Sequence, residues 1–317
     1  MRTLAGHTRD VRAVAYGPDG MLVSGGSDRT VRVWSPLTGE LVRTLKAGTP
    51  VYAVAVSPDG TTLAYAGRYP QGGATGTPIQ TFLLKEETPG YTFRVPTGAA
   101  APTLAYRQPD GVPRSVWSLS YSADGRYLAA AGRVMGGGNV PNGGGGHWFR
   151  PDDASAHGPL ADDRAYALRF ATDGPRIAVT GASSVAVYAG PEERDAVVTY
   201  PLPSLWAAAV ALVPGQPRVV VGVSSTLLFL DATTPRKPKK VRTPFRTVTA
   251  IAATPDGRAV VVGGRPAGVE VYDPDTGTLR LRYDFGLGGV NAVAVAPDGL
   301  TFAAGGDDGL AVFDFEG

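Results

Sequence analysis

Val11-Arg12-Ala13-Val14-Ala15-Tyr16-Gly17-Pro18-Asp19-Gly20 is a six-residue, mostly apolar run that closes on a turn signature. Proline presets φ, aspartate hydrogen-bonds its own backbone two residues on, and glycine accepts positive φ without steric cost. The stretch therefore reads as a strand followed by a tight turn. The same pattern returns at Val51 to Gly60, Val116 to Gly125, Ala165 to Gly174, Trp206 to Gly215, Val248 to Gly257 and Val290 to Gly299. Copies thus begin at 11, 51, 116, 165, 206, 248 and 290. Pro58-Asp59-Gly60, Pro255-Asp256-Gly257 and Pro297-Asp298-Gly299 keep the whole turn, Asp124-Gly125 and Asp173-Gly174 keep two residues, and Pro214-Gly215 is the most eroded.

Each copy is followed by a second β-rich stretch that ends in glycine, such as Leu22 to Gly25 or Val260 to Gly264. A third follows, as in Val31-Arg32-Val33-Trp34 and Val269-Glu270-Val271-Tyr272, and a weaker fourth, as in Leu41 to Leu45 and Leu279 to Tyr283. Four short strands in a unit of about 42 residues, separated by turns, are the pattern of a propeller blade. An all-β, seven-bladed β-propeller spanning residues 1–317 as one domain is the expectation.

The first unit carries Gly6-His7, Ser24, Asp28 and Trp34, and in this it resembles the WD40 repeat family, from its Gly-His to its Trp-Asp. The resemblance implies a hydrogen-bonded structural set of His7, Ser24, Asp28 and Trp34 inside the blade. The residue after Trp34 is Ser35, whereas Asp231, Asp273 and Asp314 fill the corresponding slot later. After Gly299 two strands remain, and Arg2-Thr3-Leu4-Ala5 supplies a spare one. Pairing of that N-terminal strand with the last blade would close the ring and leave no open sheet edge at the seam.

Successive copies start 40, 65, 49, 41, 42 and 42 residues apart, so units two and three carry insertions, at 68–78, 96–115 and 133–146. With strands lettered a to d outward, the b–c and d–a connections share one face of a propeller, and all three insertions fall there. Residues Tyr69, Tyr106, Arg107, Met135 and Trp148 in or beside them, with Trp117 and Tyr166 near the starts of inner strands, are of the types enriched where protein partners bind. Arg12, Tyr52, Thr249 and Asn291 occupy the same repeat position as Trp117 and Tyr166.

Cys 0 excludes disulfides, thiolate metal sites and cysteine nucleophiles, and a net charge of +2 argues against a strongly basic nucleic-acid binder. The basic run Arg236-Lys237-Pro238-Lys239-Lys240-Val241-Arg242 reads as a solvated hairpin between strands c and d of unit five. His147 and His157 lie near Asp152, Asp153, Asp162 and Asp163, but their spacing fits no metal signature. Neither a phosphate loop, a nucleophile elbow nor an acid–base pair can be assembled, so no catalytic residue, metal or cofactor is expected. The longest unbroken apolar run, Leu205 to Val213, is too short for a membrane span. The function implied by the resemblance is a monomeric, cytoplasmic, non-catalytic scaffold that binds a protein or peptide through one face. The alternatives are a propeller enzyme of the lactonase or hydrolase type, and a polyanion or nucleic-acid binder using residues 236–242.

Overall fold

The computed structural model describes residues 1–35, 38–67, 79–84, 115–133, 145–160, 165–202, 207–266, 268–284, 286 and 288–315, with backbone alone at 133 and 154–157. Each repeat forms one antiparallel sheet. Blade 7 includes the first strand of the chain, β1 (Arg2–Leu4). Blade 1 is β2 (Val11–Tyr16), β3 (Leu22–Gly26), β4 (Thr30–Trp34) and β5 (Leu41–Lys46). Blade 2 shows β6 (Val51–Val56), β7 (Thr62–Gly67) and β8 (Gln80–Leu83) among the described residues. Blade 3 is β9 (Ser115–Tyr121), β10 (Leu128–Arg133), β11 (Gly146–Arg150) and β12 (Asp153–Pro159), and blade 4 is β13 (Ala167–Phe170), β14 (Ile177–Thr180), β15 (Ser184–Tyr188) and β16 (Val198–Pro201). Blade 5 is β17 (Ala207–Val213), β18 (Arg218–Val223), β19 (Thr226–Asp231) and β20 (Lys239–Arg242). Blade 6 is β21 (Thr247–Ala253), β22 (Val260–Arg265), β23 (Val269–Tyr272) and β24 (Leu279–Tyr283), and blade 7 is β25 (Val290–Val295), β26 (Thr301–Gly306) and β27 (Gly309–Asp314), with β1 outermost.

The inner strands touch in the cycle β2, β6, β9, β13, β17, β21, β25 and back to β2, so the seven sheets form a closed ring. Its seam is the one expected: β1 pairs antiparallel with β27, Arg2 opposite Val312 and Leu4 opposite Leu310. Asn291 adds a polar stitch there, its Nδ2 donating to Val11 O at 3.1 Å.

Hydrophobic burial lies between blades. Each of the seven buried apolar clusters spans two neighbours, as where Ala53, Ala55 and Ala64 of blade 2 meet Val116, Leu119 and Leu128 of blade 3. In four blades a glycine near the end of the b strand has its reason in this packing. A Cβ on Gly25 would lie 2.5 Å from a methyl of Val51, and the same clash recurs for Gly222 with Val248, Gly263 with Val290, and Gly305 with Val11 across the seam. The a–b turns are held by their aspartates. Ser57, Ser122 and Thr254 hydroxyls donate to Asp59, Asp124 and Asp256 at 2.5–2.6 Å, and the N–H two residues after each aspartate donates to it as well. These bonds, the hydroxyl one foremost, hold all three carboxyls below the usual carboxylate range.

Two details differ from the reading of the sequence. In the fifth repeat Ala207, not Trp206, takes the first strand position, since Ala207 pairs with Val223 as Val11 pairs with Gly26. Gly215 and Gln216 then stand where the other turns carry Asp-Gly. The basic run is not a hairpin throughout: Lys239–Arg242 is β20, the outer strand, paired to β19 with Phe229 opposite Lys239. A strand edge needs only backbone donors and acceptors, so charged side chains suit its solvent side. Among the described residues no helix is long and apolar enough to cross a membrane.

Candidate functional site

In six of the seven inner strands one residue is pushed out of the ladder. In blades 1, 2, 3, 5, 6 and 7 the pairing skips the second repeat position, at Arg12, Tyr52, Trp117, Ala208, Thr249 and Asn291. Such a bulge re-aims its side chain. Here all six reach the channel mouth on the b–c and d–a face, where they line a constriction of about 90 Å³. In blade 4 the equivalent residue is Tyr166, whose ring stacks on Trp117 with centroids 6.3 Å apart and planes at 17°. The sequence thus placed Trp117 and Tyr166 on one face, and the structure brings them into contact.

Apart from Tyr52 and the small Ala208, the rest of the rim is polar. Arg12 pairs with Asp10 and donates from Nε to Ser27 Oγ at 3.1 Å. On blades 6 and 7, Arg265 grips both oxygens of Asp307 at 2.7 and 3.0 Å and also donates to Asn291 Oδ1 at 2.7 Å. Burial works to raise the Asp307 pKa, but the bonds from Asn291 and Arg265 outweigh it and leave the carboxylate below its usual range. The mouth therefore has an aromatic sector on blades 2 to 4 and a charge-compensated sector on blades 6, 7 and 1.

Trp148 does not belong to this face. It lies in the middle of β11, half-buried, edge-on to Tyr127 at 5.7 Å, packed against the apolar cluster between blades 3 and 4. A Cβ on Gly158 of the next strand would come within 2.9 Å of its indole nitrogen, so that glycine makes room for it. Strand alternation, not loop proximity, determines where it points. Tyr69, Tyr106, Arg107 and Met135 lie outside the described residues.

In blade 1, His7, Ser24, Asp28 and Trp34 are linked by one chain of hydrogen bonds. Trp34 Nε1 donates to Ser24 Oγ at 2.8 Å, Ser24 Oγ meets His7 Nε2 at 2.8 Å, and His7 Nδ1 meets Asp28 Oδ2 at 2.9 Å. One proton arrangement satisfies all of it: a neutral His7 gives its Nδ1 proton to Asp28 and accepts the Ser24 hydroxyl at Nε2. Burial keeps His7 below its ordinary pKa against the pull of Asp28. Burial would raise the Asp28 pKa, yet hydrogen bonds from Thr30 and His7 carry it lower.

Blade 6 carries a different buried polar set, which the repeat comparison missed. Glu270 is 1% exposed on β23, accepting from Tyr272 Oη at 2.5 Å and from Arg282 Nε and Nη2 at 2.8 and 2.5 Å. The signal was present in Val269-Glu270-Val271-Tyr272, where a glutamate occupies the place of Arg32. Among the described residues no group of three or more His, Asp or Glu side chains is placed to hold a metal ion.

The family described as WD domain, G-beta repeat matches residues 1–35, 39–69 and 283–313. The small ribosomal subunit protein RACK1z of Arabidopsis thaliana is 34% identical over 40% of this chain and 37% of its own length. Eukaryotic translation initiation factor 3 subunit I of Debaryomyces hansenii is 26% identical over 99% of this chain and 82% of its own, and that of Meyerozyma guilliermondii 25% identical over 91% and 72%. An uncharacterised WD repeat-containing protein of Synechocystis is 45% identical over 19% of this chain and 18% of its own length, so the chain spans far less than two thirds of some of the curated relatives it matches.

Proposed function

From the premise that this chain is a seven-bladed β-propeller carrying WD40 repeats, we propose that it is a non-catalytic scaffold that binds a protein or peptide partner at the b–c and d–a mouth of its channel. The observation that carries this reading is the Trp117–Tyr166 stack. Two half-buried aromatic rings, held by a bulge and by the adjoining inner strand, offer a rigid contact surface at low entropic cost. Ser115 and Arg133, which flank two of the insertions in sequence, pair opposite each other beside Trp117 on the same strand. The relatives named for translation factors and ribosomal subunits support a protein-binding role, and a cytoplasmic location belongs to the same proposal.

The test is a site-specific photo-crosslinker placed at Tyr52, next to the pair, used in native extract with wild-type protein and with Trp117→Ala and Tyr166→Ala. A partner crosslinked to the wild type and lost by roughly tenfold or more in both variants, at unchanged melting temperature, supports the reading. Undiminished capture by both folded variants overturns it.

A further inference from the structure

The fifth position of the inner-strand repeat is small in six blades, Ala15, Ala55, Ser120, Ala211, Ala252 and Ala294, and is Arg169 in the fourth. All seven residues line a cavity of about 530 Å³ that opens on the a–b face, opposite the aromatic mouth. The six small side chains leave a funnel, walled further out by the turn prolines such as Pro18, Pro58 and Pro255, and the one long side chain occupies its floor. Arg169 also lines the narrower space above, so it stands at the channel waist.

Its Nη1 donates to Leu119 O at 2.9 Å, on the neighbouring blade. Nε and Nη2 find no acceptor among the described residues, and no carboxylate pairs with the guanidinium. The charged residues among those lining the two spaces are Arg12 and Arg169, and Arg12 is already matched by Asp10. Arginine keeps its proton under all ordinary conditions, so among the described residues the channel lining carries one uncompensated positive charge. Burial lowers the Arg169 pKa, in accord with a site where the charge is poorly solvated. A buried charge of this kind is costly unless a counter-charge joins it.

We propose that the a–b funnel is a binding site for a small organic monocarboxylate, its carboxylate on the free edge of Arg169 and its apolar body along the alanine and proline walls. A planar fork with two free donors matches a carboxylate in shape. One unmatched positive charge calls for a single negative one, and the apolar wall calls for a hydrocarbon body rather than a hydrated dianion. The volume lies within the range of small-molecule sites. This site is separate from the partner face proposed above, and neither reading depends on the other.

Calorimetric titration of the full chain with sodium octanoate, octanol and inorganic phosphate tests it. Octanoate should bind at one site, roughly tenfold or more tighter than octanol or phosphate, because a hydrogen bond to a charged group carries about that discrimination. Arg169→Gln should erase the preference of octanoate over octanol, whereas Arg169→Lys should keep part of it. Ala294→Phe, which fills the funnel and leaves Arg169 untouched, should abolish octanoate binding and serves if the arginine variants fail to fold. Absence of octanoate binding to folded wild type, equal affinity for octanol, tighter binding of phosphate, or binding indifferent to Ala294→Phe overturns the proposal.

Discussion

Glu270 on β23 and Arg282 on β24 face each other across the ladder, and two N–H groups of the guanidinium meet one oxygen of a carboxylate that is almost wholly out of water. The other oxygen accepts from Tyr272. Glu270→Ala strips the acceptor from the buried Tyr272 hydroxyl and should cost about 1–3 kcal/mol, the penalty of an unsatisfied buried group. Glu270→Gln should cost less, since its amide oxygen still accepts. Urea midpoints of the two variants give the order, and equal midpoints would refute it.

His7 gives the fold a dependence on pH. Its pKa is lowered in the folded chain, chiefly by burial, so the unfolded chain takes up its proton first as pH falls. Stability contributed by the neutral ring is complete above the ordinary histidine value of 6.5 and is lost as pH drops from there through the folded value. Asp28, also lowered, adds a second loss in the same direction below the ordinary 3.8. Thermal unfolding from pH 8 to pH 5 should show a falling midpoint in wild type and a flatter one in His7→Gln. A wild-type midpoint that stays level through pH 5 would contradict the neutral, buried assignment.

The link from Asp28 through His7 and Ser24 to Trp34 predicts coupled losses. Asp28→Ala removes the 2.9 Å carboxylate partner of the buried Nδ1 proton, leaving it only the longer 3.3 Å approach of Thr30 Oγ1, at about 1–3 kcal/mol. Adding Ser24→Ala to it should cost less than the sum of the single effects, because the shared imidazole is already free to reorient. A double-mutant cycle in denaturant measures this, and strict additivity would show that the four side chains do not act together.

What the sequence made legible follows from its period. A pattern that recurs seven times shows strands, turns and the closing role of Arg2 to Leu4, because each blade must bury the same faces against its neighbours. Loop content was less legible: Trp148 lies near an insertion in sequence, but strand alternation turns it into the space between blades. Arg169 stands in the sequence as a long residue in a column of small ones, yet its meaning needed the channel axis, which no single strand reveals. The Trp117–Tyr166 contact likewise joins two blades 49 residues apart, a distance that only ring geometry closes.

Gly263 and Val290 fix how closely blades 6 and 7 approach. A Cβ at Gly263 would sit 2.5 Å from a methyl of Val290 and 3.1 Å from one of Val293, and both valines are buried in a packed cluster with no room to retreat. Gly263→Ala should therefore lose about 1–3 kcal/mol by overpacking, although alanine is the better strand residue on backbone entropy alone. Trimming the opposing side chain in Gly263→Ala/Val290→Ala should restore part of that loss, since the new methyl fills space the valine gives up. The argument turns on sign: compensation marks a steric limit between blades, and a double variant weaker than the sum of its parts would mean that Val290 matters for its own burial and that the glycine serves some other end.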